Sequence, residues 1–180
     1  MKIVDIFAHK LYAFHYENEE DNELDRLLDL WNDTEYIYNF LKKNRQDITS
    51  RDSISNIAEQ IIDDANQIDD TLHGLSESTD KSLDEFFRPL DNNVYQWTLL
   101  SKEKGRLKRR GTGSYLRIYA IKVDSNIYVI TGGAIKFTRL MQDRPHTNDE
   151  LQKLEKCRNY LNEHHVTDEV SYYEFLSEEE

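Results

Sequence analysis

Residues 115–138, YLRIYAIKVDSNIYVITGGAIKFT, decide the fold. The run from Tyr115 to Val123 is dense in β-branched and aromatic residues, which is strand composition. Ile127 to Thr131 repeats it. Asp124, Ser125 and Asn126 between the two runs are turn formers, so the pair reads as a hairpin. Gly132 and Gly133 interrupt the second run, which suggests a bulge. A period of two on the first strand sets Leu116, Ile118 and Ala120 on one face and Tyr115, Arg117 and Tyr119 on the other.

Helical periodicity dominates upstream. Ile3 to Tyr16 reads as a strand or a strand pair. Leu24, Leu27, Leu28 and Trp31 mark a first helical face, and Tyr36, Ile37, Phe40 and Leu41 a second. Ile54, Ile57, Ala58, Ile61, Ile62, Ala65, Ile68 and Leu72 form one long stripe, with Ser50, Asp52 and Ser53 as candidate N-caps. Gly74 and the Ser-rich run after it are expected to end that helix. The pairs Asp63-Asp64 and Asp69-Asp70 are assigned to its wet face.

From 86 onward, FFRPL reads as a docking turn, Val94–Leu100 as a strand and SKEKGRLKRRGTGS as a basic linker. A last helix is expected from Thr147, with Glu150 completing a capping box. The final Glu178–Glu180 run is expected to be disordered. The fold class is therefore α+β, an antiparallel sheet packed against helices. It divides into a mostly helical acidic region 1–80 with a leading strand, an α+β region 81–170 and an acidic tail 171–180.

Composition narrows the function classes. The chain has 180 residues, a net charge of −12 and one cysteine, Cys157. One cysteine excludes an intrachain disulfide and any Cys-rich zinc module. No apolar run reaches the ~18–20 residues that a membrane span needs. The start of the chain lacks signal-peptide character, so a cytoplasmic location is expected. The six histidines follow no metal spacing, and neither a phosphate-cradling Gly motif nor a nucleophile elbow is present. No cofactor or metal is expected.

The charge is distributed in blocks: −13 over 1–100, +8 over 101–145 and −7 over 146–180. An overall acidic chain argues against nucleic acid, whereas a basic band between acidic ones points to a local cationic surface. Arg117 between Tyr115 and Tyr119 offers a guanidinium for phosphate and two rings for base stacking. Arg106, Lys108, Arg109 and Arg110 precede that strand, beside glycines that let the backbone turn, and Lys136 and Arg139 follow its partner. A solvated surface ladder and a charge run that neutralises the acidic helices are the structural alternatives.

Over residues 86–161 the chain resembles the RelE/HigB superfamily of toxins from bacterial toxin–antitoxin modules, most closely its HigB and phage-derived branch. The resemblance is carried by Leu116-Arg117-Ile118-Tyr119, Tyr128 to Gly133, Lys136-Phe137-Thr138, and Pro145 with the helix behind it. It implies a curved antiparallel sheet with packed helices, here with a mainly helical N-terminal extension. It also implies an endoribonuclease that cleaves mRNA, on the ribosome or free, by attack of the ribose 2′-OH on the adjacent phosphate. Arg117 and Lys136 would then be catalytic. Lys108, Arg109, Arg110, Tyr115, Tyr119 and Arg139 would bind substrate. The partners implied are RNA, the ribosome and a helix-turn-helix antitoxin, with no membrane. The chain departs from the family in its acidity, its length and the single lysine at Lys136-Phe137. A non-catalytic binding protein and a structural protein of a phage or mobile element are the competing readings. An acidic extension that covers the basic sheet is a further expectation.

Overall fold

The computed structural model describes residues 1–91, 99–109, 111 and 113–179. Arg110 and most of the strand expected at Val94–Leu100 lie outside them.

Alternating apolar residues at both ends of the chain build one six-stranded sheet. Its strands are β1 (Lys2–Phe7), β2 (Leu11–His15), β3 (Phe87–Pro89), β4 (Ser101–Gly105), β5 (Leu116–Asp124) and β6 (Ile127–Ile135). The spatial order is β1-β2-β6-β5-β4-β3. Every neighbouring pair is antiparallel except β2 and β6, which run parallel from Leu11↔Tyr128 to Ala13↔Ile130. The N-terminal region thus contributes strands to the same sheet as the C-terminal hairpin. A parallel neighbour cannot be reached by a tight turn, and the helices α1 (Glu23–Asn32), α2 (Thr34–Lys43) and α3 (Ile54–Glu77) lie on the crossover.

The helices start where their capping chemistry dictates. Asn22 accepts from the backbone N–H groups of Leu24 and Asp25, Asp33 from that of Tyr36, and Ser53 from that of Asn56. Leu24, Leu27, Trp31, Ile37, Leu41 and the α3 stripe then cover one sheet face, against Leu116, Ile118, Ala120 and Ile130. Helices α4 (Pro145–Glu163) and α5 (Glu169–Glu179) serve the other face. There Cys157, Leu161, Tyr172 and Phe175 meet Tyr12, Phe14, Ile121 and Val129. Burial of each such side chain contributes about 1.5–3 kcal/mol, which fixes the register of every strand.

Several expectations are corrected. Helix α3 runs through Gly74 to Glu77, because Leu75 and Ser76 stay buried beneath it and outweigh the low helix propensity of one glycine. FFRPL is not a docking turn: Phe87–Pro89 is an edge strand, a position where proline is tolerated. The first five residues of the basic linker are β4. The bulge lies at Thr131, since Tyr119 faces Gly132 while Ala120 faces Ile130.

The capping box at Thr147 does not form. Helix α4 opens earlier, with Pro145 in its first turn, and the Thr147 hydroxyl instead donates to the carbonyls of Met141 and Arg144. The acidic tail is ordered to Glu179 as α5, because Tyr172 and Phe175 give it a buried side. No helix among the described residues is long and apolar enough to cross a membrane.

The β1–β2 turn is strained. Ala8 and His9 both adopt left-handed backbone, with φ of 54° and 53°. A turn with two such residues favours asparagine or glycine. Ala8→Asn keeps the His9 contact with Asp5 and is expected to stabilise the protein by about 0.5–1 kcal/mol, read as a higher unfolding midpoint in urea.

Candidate functional site

The sheet face that carries Arg117 is only partly covered by α4. Tyr119 and Ala134 lie under Met141 and Leu154. Beyond them, three neighbouring segments deliver cations to the same face. Lys104 on β4 is paired with Tyr119, so it shares that residue's face. Arg117 on β5 is paired with Ala134. Lys136 follows β6 directly, its backbone N–H bonded to the Tyr115 carbonyl at 2.8 Å. Arg106, one residue past β4, joins them at the exposed rim.

The electrostatics show that these charges are close. Burial and then Arg106 push the Arg117 guanidinium down to about 10. Burial, then Arg117 and Lys104, lower Lys136. Burial, then Arg117 and Arg106, lower Lys104. Arg117, Lys136 and Lys104 are each lowered in part by like charges around them, so the cations on this face form an anion-attracting patch.

Their donors are held by main-chain oxygens. Arg117 Nη1 donates to the carbonyls of Ser114 and Leu116 at 2.6 and 2.8 Å, and Lys136 Nζ to that of Arg139 at 2.8 Å. Lys104 Nζ donates to the Leu90 carbonyl at 3.0 Å. Among the described residues, neither Arg117 nor Lys136 forms an ion pair. The acidic helices α1–α3 pack on the opposite face, so they do not form the expected cover over this patch; among the described residues, the carboxylates that act on it are Asp143, toward Lys136, and Asp91, toward Lys104.

The other expected site residues are distributed differently. Arg109 leaves the patch: its Nη1 lies 2.6 Å from Oδ1 of Asp64 on α3. Asp64 is fully buried, which corrects its assignment to a wet helix face. Gln60 Nε2 donates to the Gly113 carbonyl at 3.1 Å, a second tie between α3 and the basic loop. Lys108 and Arg139 are exposed. The stacking ladder of Tyr115 and Tyr119 does not exist. Tyr115 turns onto Phe137, ring centroids 4.8 Å apart, and joins the α1–α3 side. Tyr119 is buried, with its hydroxyl lacking a hydrogen-bond partner.

Arg106 belongs to the basic cluster read from the sequence, whereas Lys104 is absent from it. Its signal is the alternation in SKEKG: Ser101, Glu103 and Gly105 are buried, while Lys102 and Lys104 share the other side. Charge and glycine disguised it as a linker. Lys102 itself is engaged by Glu155 of α4 at 2.7 Å. Among the described residues, no group of three or more His, Cys, Asp or Glu is arranged to hold a metal ion.

Fold and site together define an α+β protein with a partly buried cationic patch on one sheet face. Comparison with protein-family models, curated proteins and solved structures returns no match.

Proposed function

We propose that the cationic patch of Lys104, Arg106, Arg117 and Lys136 binds the phosphate backbone of RNA, and that the protein is a toxin-like endoribonuclease. The observation that carries this reading is that Arg117 on β5 and Lys136 just past β6 share one face and, among the described residues, neither forms an ion pair. A phosphodiester supplies the missing negative charge, and the planar guanidinium suits two of its oxygens.

In the reaction, the ribose 2′-oxygen bonds to the adjacent phosphorus and the bond from phosphorus to the 5′-oxygen breaks. The 2′ proton leaves to a base and the departing 5′-oxygen gains one. The products are a 2′,3′-cyclic phosphate and a 5′-hydroxyl. Arg117 stabilises the charge that builds on the phosphorane oxygens. Lys136, its ammonium made more acidic by burial and by Arg117, is the candidate proton donor to the leaving oxygen. The ribosome as the place of cleavage, a helix-turn-helix antitoxin as partner and a cytoplasmic setting belong to the same proposal and rest on the sequence resemblance.

A second reading, binding without cleavage, is favoured by one observation. The imidazole of His146, a ready base by chemistry, is engaged with the Ile135 carbonyl at 3.0 Å, and the Tyr119 hydroxyl is buried.

Binding of a labelled single-stranded RNA, followed by anisotropy at several salt concentrations, tests the proposal. Arg117→Ala with Lys136→Ala is expected to weaken binding at least about tenfold. The log–log salt slope should fall by about 0.7 for each phosphate that the variant no longer neutralises. Cyclic-phosphate ends that appear with the wild type and vanish in the double variant support the nuclease. Binding without such ends supports the second reading. Equal binding by wild type and variant removes both.

A further inference from the structure

Strand β2 accompanies β6 only as far as Ala13↔Ile130. Beyond that point side chains fill the corner beside the β6 bulge. Tyr16 donates its hydroxyl to the Thr131 carbonyl at 2.6 Å and meets Cys157 Sγ at 3.1 Å. Helix α1 brings Glu23 and Arg26, and helix α4 brings Glu150 and Lys153.

The two carboxylates are treated unequally. Glu23 is 1% exposed and takes Arg26 through both oxygens, Nε at 3.0 Å and Nη2 at 2.8 Å, together with Lys153. Glu150 receives the remainder. Its Oε1 lies 3.4 Å from Lys153 Nζ. Its Oε2 is buried without a hydrogen-bond partner. That oxygen rests against Gly132, in the space a β-carbon would occupy. A glycine beside the bulge is therefore the cradle of an under-compensated carboxyl group.

We propose that Glu150 is a proton-operated latch that fastens α4 to the bulged edge of β6, closed when the carboxyl carries a proton and loosened when it is ionised. The groups that face it are Lys153 on its own helix, Glu23 and Arg26 on α1, Tyr36 on α2, Tyr119 on β5, and Tyr16 with its neighbour Cys157. Burial, reinforced by Glu23 and only partly offset by Lys153 and Arg26, raises the Glu150 carboxyl from 4.5 to about 6. A folded-state value above the open-state value means that the closed corner binds the proton more tightly. The fastening is complete below 4.5 and is lost as pH rises through about 6. Near neutral pH the Glu150 carboxyl is mostly ionised, which weakens the hold on the helix that walls the sheet face over Tyr119 and Ala134. The device stands whether or not the cationic patch holds RNA.

Hydrogen exchange in the full chain, read at the amides of Gly132, Gly133 and residues 151–154 and normalised to intrinsic rates, tests it. The opening constant of the wild type relative to Glu150→Gln is expected to rise about twentyfold between pH ~4 and ~7.5. Glu23→Gln keeps the Glu150 carboxyl but frees Lys153 to pair with it, so the rise should move to lower pH. A wild-type profile parallel to that of Glu150→Gln, or a rise left in place by Glu23→Gln, overturns the latch.

Discussion

Arg109→Ala is expected to lower the unfolding free energy by about 2–4 kcal/mol, because it strands a carboxylate that has no route to water. Asp64 is fully buried on α3 while Arg109 is about a third exposed, at 35%. The pair is therefore asymmetric. Removing the arginine leaves a buried charge whose Oδ2 already lacks a partner. Removing the aspartate leaves a guanidinium that can turn into solvent. Asp64→Leu should accordingly cost well under half as much as Arg109→Ala, which the urea midpoints of the two variants compare directly. Equal losses, or an Arg109→Ala protein within about 0.5 kcal/mol of wild type, would show that Asp64 is neutralised by other means. If the RNA reading holds, the same arginine should contribute little to affinity, since it is engaged with α3.

Gly133→Ala is expected to cost about 3 kcal/mol, near the upper end for overpacking, and to lower the melting temperature by about 10 °C. A β-carbon there would lie 2.7 Å from the Arg117 carbonyl oxygen, 2.8 Å from Trp31 and 2.9 Å from Leu27. The two side chains can shift, but the carbonyl belongs to the antiparallel partner strand and cannot. Leu27→Ala in the Gly133→Ala background should therefore recover little. Full recovery would mean that the side chains, not the strand spacing, set the limit. Because the crowded carbonyl is that of Arg117, any widening of the strand spacing in Gly133→Ala should also weaken phosphate binding if the cationic patch is the binding site.

The parts of the fold legible in the sequence were those where one periodicity runs unbroken. The stripe from Ile54 to Leu72 is α3, and the two runs around Asp124-Ser125-Asn126 are β5 and β6. The parts that escaped were set by tertiary neighbours. Glu178 and Glu179 read as a disordered end, yet they close a helix anchored by Tyr172 and Phe175. Thr147 and Glu150 read as a cap; both turn inward, because Pro145 already starts the helix and Gly132 opens a space for a carboxyl group. At the candidate site, Arg117 and Lys136 share a face as expected. Alternation predicted the direction of Tyr119 correctly but not its burial, since Met141 arrives from a separate loop. Tyr115 lies just before the strand begins, where the period of two does not apply. No local pattern marked Asp64, whose wet-looking pair with Asp63 conceals a long-range contact.

The parallel seam between β2 and β6 also bears on how the molecule is made. Leu11, Tyr12 and Ala13 are made well before their hydrogen-bonding partners Tyr128, Val129 and Ile130, which lie beyond three α-helices and three other strands. Vectorial synthesis leaves the β1–β2 hairpin with one edge unmatched until β6 has left the exit tunnel. Such distant pairing slows folding and exposes a nascent intermediate to aggregation. Lys2 and Asp5, charged residues on the outermost strand, are suited to keeping that waiting hairpin from joining another copy of itself.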